Sequence, residues 1–252
     1  MLWERGATLL KENERILVFS GNFANIWKAK TKQHPIAIKE SIHPRYTKNV
    51  FREYCFLKQF SHTSIPHPYS FECRSDGCGV VQMEWIDGVS AQRFVSRIGY
   101  PDRVHASVQI IADLAAVLVE VHDQNIVHRD IKSDNVLVQS CGKPILLDFG
   151  LAYEVGKQNF VDNESSMKWF SGTHAYTAPE CRFYLGKQLT KRGHQQIGLS
   201  SDIFSLGVLL YRLLTGRIIH IHDPLGAQKE FSSAFVRYFP KNLVVLITHM
   251  LD

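Results

Sequence analysis

Residues 127–137 read VHRDIKSDNVL, and residues 146–150 read LLDFG. In both stretches a short polar cluster stands beside apolar residues of the kind that form buried strands. Apolar flanks hold a polar loop rigid at the floor of a cleft, where its aspartate, lysine and asparagine side chains project from one surface. We therefore expect the chemistry of this protein at these two stretches.

The polar side chains of the two stretches suit phosphoryl transfer. This reaction needs a metal ion that neutralises phosphate charge, a cation on the transferred group and a carboxylate that orients the attacking hydroxyl. Asp148 and Asn135 offer hard oxygen ligands of the kind that Mg²⁺ binds. Lys132 can supply the cation and Asp130 the carboxylate. The pattern therefore favours a phosphotransferase.

The part of the chain before these stretches has the alternation of β-strands. Residues 15–19, 25–29 and 35–39 each read as a short strand, and a turn with Gly21 separates the first two. Between residues 48 and 60 the apolar positions recur at helical spacing. The first third is thus predicted to be a small antiparallel sheet with one helix.

The later two thirds are predicted to be mainly helical. An apolar stripe runs through residues 103–122, and residues 201–214 are apolar on every side, which is typical of a buried central helix. Gly216 is the expected C-terminal end of that helix. Strands in the first part and helices in the second indicate an α+β fold with segregated lobes, and a cleft between lobes is a usual ligand site.

The composition excludes several classes of protein. Of the 252 residues, 45% are hydrophobic, so the chain can fill a sizeable core. Its 29 basic and 24 acidic residues give a net charge of +5 without a dense basic run, so we expect neither a nucleic-acid nor a membrane partner. No segment is expected to reach the length of a membrane span, and five scattered cysteines suit reduced thiols. We therefore expect a cytoplasmic protein, with secretion into another cell left open.

Three motifs together resemble the signature set of eukaryotic-type (Hanks-type) serine/threonine protein kinases. They are His128–Asn135, Asp148–Gly150 and Ala178–Glu180, and their order and spacing match that family. The resemblance implies a bilobal protein-kinase-like fold. Residues 1–86 would form a small β-rich N-lobe, and residues 87–252 a mainly helical C-lobe with a shortened C-terminal end.

The resemblance implies that the chain transfers the γ-phosphoryl group of ATP to a protein hydroxyl. Serine and threonine are favoured over tyrosine because Lys132 stands two residues after Asp130 and Gly172-Thr173 precedes the third motif. Two alternatives stay open, a pseudokinase that serves as a docking module and a kinase-like small-molecule phosphotransferase. The latter class generally lacks the Phe149-Gly150 and Ala178–Glu180 elements.

The same resemblance assigns a role to each candidate site residue. Asp130 would be the catalytic base beside Lys132, and Lys39, paired with Glu53, would hold the α- and β-phosphates. Glu40 is a second acidic candidate for this pairing, but it directly follows Lys39 and points to the opposite face of its strand. The implied metal is Mg²⁺, with Mn²⁺ as an alternative, on Asn135 and Asp148. The nucleotide would further contact Gly21, Ile26, Ala37, Met83 as gatekeeper, Glu84, Ile86 and Leu137.

The loop that covers the phosphates departs from the family pattern. The family's G-x-G-x-x-G-x-V aligns with residues 19–26, where only the middle glycine, Gly21, is kept. Phe19 and Ala24 replace the other two glycines. Because glycine lets the backbone come close to phosphate, we expect weaker nucleotide affinity but not its loss.

Control of the activity is the least specified part of the sequence. Arg129 resembles the arginine of kinases that are switched by a phosphate in the activation segment. Ser165, Ser166 and Ser171 are candidate acceptors, and a flexible polar loop is an equally weighted interpretation.

The segment after the third motif leaves two further alternatives open. The basic residues 187–194 either shape substrate choice or form a solvated loop. Glu180 either pairs with another arginine, such as Arg237, or is paired differently. A regulatory partner or a dimer is a further hypothesis.

Overall fold

The computed structural model describes residues 15–32, 34–156, 175–182, 198–217 and 240–251. The candidate phosphate acceptors Ser165, Ser166 and Ser171, the candidate partner Arg237 and the basic residues 187–194 lie outside these ranges. The strands of the larger sheet are β1 (Arg15–Ser20), β2 (Ala24–Lys30), β3 (Pro35–Ser41), β4 (Pro68–Cys73) and β5 (Gly79–Glu84).

These five strands form one antiparallel sheet in the order β1-β2-β3-β5-β4. Helix α1 (Thr47–Leu57) packs on one face of it and buries Val50, Phe56 and Leu57. Because side chains alternate along a strand, neighbouring residues of β3 face opposite sides of the sheet. Lys39 thus points to the α1 side, whereas Glu40 binds Arg15 and Arg74 on the other.

The second lobe is mainly helical. Its helices are α2 (Ala91–Val95), α3 (Asp102–Asp123), α4 (Pro179–Arg182), α5 (Ser200–Thr215) and α6 (Lys241–Met250). Two small antiparallel sheets join them, one with β6 (Val89–Ser90), β8 (Val136–Val138) and β9 (Pro144–Leu146), the other with β7 (Ile126–Val127) and β10 (Tyr153–Glu154). The predicted α+β division into two lobes is therefore confirmed.

Helix α5 is the centre of this lobe. Eleven of its residues are buried, and it packs against α2, α3 and α6. Gly216 follows it with φ +71°, a left-handed conformation that favours glycine at a helix end. The predicted buried helix and its glycine stop are confirmed.

Two expectations about helices are corrected. Helix α1 ends at Leu57 rather than at residue 60, and Phe60 continues the apolar pattern because its ring packs 5.3 Å from that of Phe149. Helix α3, with 22 residues, is long and apolar enough to cross a membrane by length and composition, contrary to the expectation for this chain. One face of α3 is buried against the lobe, including Ile110, Leu114 and Val121.

Candidate active site

Hydrogen bonds to the first turn of α5 hold the loop that follows β7, which begins at His128. Asp202, in the first turn of that helix, is fully buried, and its two carboxylate oxygens accept hydrogen bonds from the amides of His128 and Arg129 at 2.8 and 2.9 Å. His122 Nε2 lies 3.0 Å from the same carboxylate. The backbone of Arg129 has φ +69°, a conformation that is unfavourable for a residue with a long side chain. The two hydrogen bonds from the amides to Asp202 hold the backbone in this conformation.

Asp130 lies at the centre of a short polar network. Its Oδ2 accepts from Lys132 Nζ and from Asn135 Nδ2, both at 2.7 Å, and Asn135 Nδ2 also reaches the Asp130 carbonyl at 2.9 Å. Burial raises the pKa of Asp130, and the Lys132 ammonium opposes that shift. The side-chain nitrogen of Asn135 is engaged in these hydrogen bonds. Its side-chain oxygen, Oδ1, is therefore the atom that can bind a cation.

Asp148 is brought beside this loop by backbone contacts. The amide of Leu147 donates to the Asn135 carbonyl at 2.8 Å, and His128 Nε2 lies 3.0 Å from the Leu147 carbonyl. The Phe149 ring packs edge-on against His128 at 4.7 Å and is fully buried. Next to this buried ring, the Asp148 side chain is 39% exposed and opens to the cleft.

Lys39 connects the N-lobe to Asp148. Its Nζ lies 2.6 Å from Glu53 Oε2 on α1 and 2.8 Å from Asp148 Oδ1. Burial raises the pKa of Glu53 to about 7, against the opposing effect of Lys39. Partial burial would raise the pKa of Asp148, but Lys39 and the Gly150 amide hold it below its usual value. Burial likewise opposes the charge of Lys39, yet the two carboxylates raise its pKa overall.

The residues expected to contact the nucleotide base lie on β3, at the end of β5, directly after β5 and on β8. Ala37 and Met83 are directly paired in the β3–β5 register, and both are buried. The Glu84 amide already donates to the His67 carbonyl, and the side chain of Ile86 is buried. Leu137 lies on β8, opposite Ser90 of β6.

The loop expected to cover the phosphates is held by a few contacts of its own. The Gly21 amide donates to the Ala24 carbonyl at 3.0 Å, and Ile26 pairs with Lys39 across the sheet. A Cβ at Gly21 would lie 2.9 Å from the Phe19 ring and 3.2 Å from the Ala24 carbonyl, so a side chain here would have to displace that exposed ring and press on the carbonyl. The Phe23 ring at the tip packs edge-on against Tyr46 at 5.1 Å.

Arg52 is a buried arginine near Arg129 that the sequence did not indicate, whereas Arg129 itself was expected to meet a regulatory phosphate. Arg129 is buried over the Tyr153 ring at 4.2 Å, and none of its guanidinium nitrogens has a hydrogen-bond partner in the part of the chain that the structure describes. Burial lowers its pKa to about 10, and the charge of Arg52 adds to this shift. Arg52 directly precedes Glu53, so its place on α1 was the available signal. Its Nη1 donates to the Gly150 carbonyl at 3.3 Å.

Glu180 at the start of α4 is exposed, and within the described ranges it forms no ion pair. Across the same ranges no three His, Cys, Asp or Glu side chains form a group that could hold a metal ion alone. The candidate metal ligands are instead the Asp148 carboxylate and the side-chain oxygen (Oδ1) of Asn135. Such a sparse oxygen set fits a metal ion that takes its remaining ligands from water and phosphate.

Comparison with known proteins agrees with this geometry. The sequence model of the protein kinase domain matches residues 16–249. The chain is 30% identical to RasGEF domain-containing serine/threonine-protein kinase X of Dictyostelium discoideum, over 86% of this chain and 21% of that protein. It is 29% identical to CBL-interacting protein kinase 12 of Oryza sativa subsp. japonica, over 98% and 45%, respectively. It is 28% identical to serine/threonine-protein kinase PknD of Mycobacterium tuberculosis, over 79% and 29%. The chain thus spans less than half the length of each of these relatives.

Proposed function

Because the chain belongs to the protein kinase family, we propose that it transfers the γ-phosphoryl group of ATP to a serine or threonine hydroxyl of a protein substrate. One observation carries this proposal. Lys39 contacts both Glu53 and Asp148, and Asp148 lies beside the loop that holds Asp130 and Asn135. These contacts support the proposal because phosphoryl transfer needs a phosphate-binding cation and a metal-binding carboxylate near the group that orients the acceptor hydroxyl.

The proposed roles follow from the chemistry of each group. Asp130 accepts a hydrogen bond from the acceptor hydroxyl and takes its proton. Burial raises its pKa, which suits a group that takes a proton, and Lys132 opposes that rise. Lys132 lies at the Asp130 carboxylate, where it can also meet the transferred phosphoryl group. Glu53 holds Lys39 in place for the α- and β-phosphates.

Asp148 and Asn135 would hold a divalent cation, Mg²⁺ in this proposal, with Mn²⁺ as the alternative. When bound, the cation would neutralise charge on the phosphates. Asp148 is suited to this part because its lowered pKa keeps it ionised. Gly21, Ile26, Ala37, Met83, Glu84, Ile86 and Leu137 complete the proposed nucleotide site.

The proposed boundary between the lobes follows Ile86. Residues 1–86 then contain the five-stranded sheet, and residues 87–252 begin just before β6, which pairs with β8 of the second lobe. A cytoplasmic place of action is part of the proposal, and it is supported by the five cysteines, which are all free thiols.

A phosphate in the activation segment is the proposed switch. A buried arginine without a hydrogen-bond partner costs free energy, and an arriving phosphate would recover it at Arg129. We expect phosphatase treatment of active protein to lower its activity and Arg129→Gln to remove the effect of that treatment. Mass spectrometry that finds active protein without phosphate would contradict this switch.

The test of the proposed activity uses labelled ATP, Mg²⁺ and mixed protein substrates with the wild type and Asp148→Ala. The expected result is label on substrate with the wild type and almost none with the variant. Asp113→Ala, a change on α3 away from the cleft, is the matched control and should keep its activity. Equal label with wild type and Asp148→Ala would overturn the proposal, and failure to bind Mg²⁺-ATP would favour a docking module.

A further inference from the structure

Arg212 lies in the last turn of α5, beside the segment that leads into α4. Its Nη1 donates to the Tyr176 hydroxyl at 2.8 Å, and its guanidinium lies 5.8 Å from the centre of that ring. The Tyr176 carbonyl accepts from Ser205 Oγ at 2.8 Å. Tyr176 therefore lies along α5, with its backbone at Ser205 and its hydroxyl at Arg212.

Tyr176 also joins Arg212 to the catalytic loop. The Ser133 backbone and the charge of Asp134 both act on the pKa of its hydroxyl, in opposite directions. These two residues follow Asp130 by three and four positions. The Tyr176 hydroxyl thus lies between the Arg212 guanidinium and the catalytic loop. The hydroxyl of a protein substrate would bind at that loop.

Among the described residues, no carboxylate balances the charge of Arg212. Its Nε is buried without a hydrogen-bond partner, and no carboxylate in the described ranges forms an ion pair with it. The two lysines of the candidate active site differ, since Lys39 and Lys132 each contact a carboxylate. Binding of a carboxylate stabilises a partly buried arginine that has no counter-charge, because the planar N–H donors of the guanidinium match the two carboxylate oxygens.

Helix α2 completes a polar corner around this arginine. The Gln92 amide donates to Ser133 Oγ at 3.0 Å, and the side chain of Gln92 reaches to within 3.9 Å of the place of a Cβ at Gly216. Gln92 Oε1 is a second buried polar atom without a partner in the described part of the chain. Asp134 is an exposed acid at the same corner that makes no ion pair with Arg212.

We propose that Arg212 binds an acidic side chain of the protein substrate and so selects serine or threonine acceptors that have aspartate or glutamate a few residues away. This inference rests on the proposed kinase activity and names the substrate class of that site. Arg212 acts as a specificity-determining residue, and Asp134 opposes it by repelling the same acid. The occupant is a carboxylate side chain of a peptide.

The test is a set of serine peptides that differ only in one residue, which is aspartate, alanine or lysine at each position around the acceptor. The measured quantity is the ratio of kcat/KM for the acidic and the basic peptide at each position. A charge-assisted contact of this kind corresponds to about a tenfold preference for acid with the wild type. Arg212→Glu should reverse the preference at that position, and Arg212→Lys should keep its sign.

The matched control is Arg217→Glu, an exposed arginine just after the same helix. It should keep the wild-type ratio, and Asp134→Asn should increase the preference for acid. A ratio that is the same in wild type and Arg212→Glu, or a wild type that prefers lysine, overturns the inference. Turnover of the alanine peptide reports separately on the kinase activity.

If no peptide is phosphorylated, the kinase proposal fails. The inference is then decided by fluorescence anisotropy, which measures binding of the same peptides to the wild type and to Arg212→Glu. Thermal midpoints show whether each variant is folded, and Arg212→Gln, which can still donate to Tyr176, replaces Arg212→Glu if that variant is not. With Arg212→Gln the expected result is loss of the preference.

Discussion

The loop of residues 128–135 and the loop of residues 19–26 are held in different ways. The first is buried, and its amides and side chains bond to Asp202, Leu147 and one another. The second has exposed aromatic side chains, with Phe19 60% and Phe23 41% exposed.

The contrast shows how each loop obtains its shape. Most buried polar groups in native proteins have hydrogen-bond partners, and the partners of the catalytic-loop amides and of Asp130 favour one conformation. An exposed loop can bond to water instead, and its shape depends on a few contacts such as that of Phe23 with Tyr46. Changes in the first loop should therefore have large effects, and changes in the second small ones.

The largest expected effect is on catalysis by Asp130→Asn. The amide keeps the size of the side chain but cannot take a proton, so we expect kcat to fall about 10²–10⁴-fold with the fold retained. Steady-state kinetics with ATP and a protein substrate measures this loss. Asp123→Asn, an exposed change at the end of α3, is the control and should stay near the wild-type rate. A rate within a few-fold of wild type for Asp130→Asn would remove Asp130 from its proposed role.

The second prediction compares the stability that each loop contributes. Asp202→Ala leaves two buried amides without an acceptor, so we expect a loss of about 2–5 kcal/mol in the free energy of unfolding. Asn25→Ala removes an exposed hydrogen bond from Ser20 next to the other loop, and we expect a loss of about 0.5 kcal/mol or less. Urea unfolding of both variants measures the difference. Similar losses would contradict the comparison.

The third prediction concerns the pH dependence of stability through Glu53. Its pKa is about 7 in the folded chain and 4.5 in the ordinary state, so the folded chain binds this proton more tightly. Stability from this group is present at low pH and is lost as the pH rises from 4.5 through 7. At about 1.4 kcal/mol for each unit of difference between these two pKa values, the total loss is on the order of 3 kcal/mol.

Glu53→Gln cannot titrate and serves as the reference for this effect. The stability of wild type relative to this variant should fall between pH 5 and pH 8, as measured by urea unfolding at each pH. This window covers most of the interval between the two pKa values, 4.5 and about 7. A difference that does not change with pH would show that Glu53 does not titrate there.

The smallest expected effects belong to the loop with one glycine. Gly21→Ala brings a Cβ against the Phe19 ring and the Ala24 carbonyl, so we expect ATP affinity to fall by about tenfold or less. Phe19→Gly restores a glycine of the family pattern and should raise affinity a few-fold. The double variant should bind more tightly than Gly21→Ala alone, because the ring it would meet is gone. Calorimetric titration with Mg²⁺-ATP measures all three affinities, and additive effects would show that the ring and the glycine are independent.

The elements of the fold were largely predictable from the sequence because their apolar periods are strong. The buried helix α5 and its stop at Gly216 were predicted and are confirmed. The end of α1 was not, because Phe60 continues the helical pattern for a tertiary reason, its contact with Phe149. The roles of Asp130, Asn135, Lys39, Glu53 and the other site residues stay predictions, which the first and third experiments address.

The sequence by itself determined the order of the elements, the family and the polar residues of the catalytic loop, since these depend on local pattern and spacing. Tertiary structure alone decided which distant groups meet. Asp202 accepts amides more than 70 residues away, Arg129 and Arg52 come together from different lobes, and Arg212 reaches Tyr176 without a carboxylate partner among the described residues. The physical reason is that charge balance and buried hydrogen bonds are properties of a neighbourhood in space, which a linear pattern does not contain.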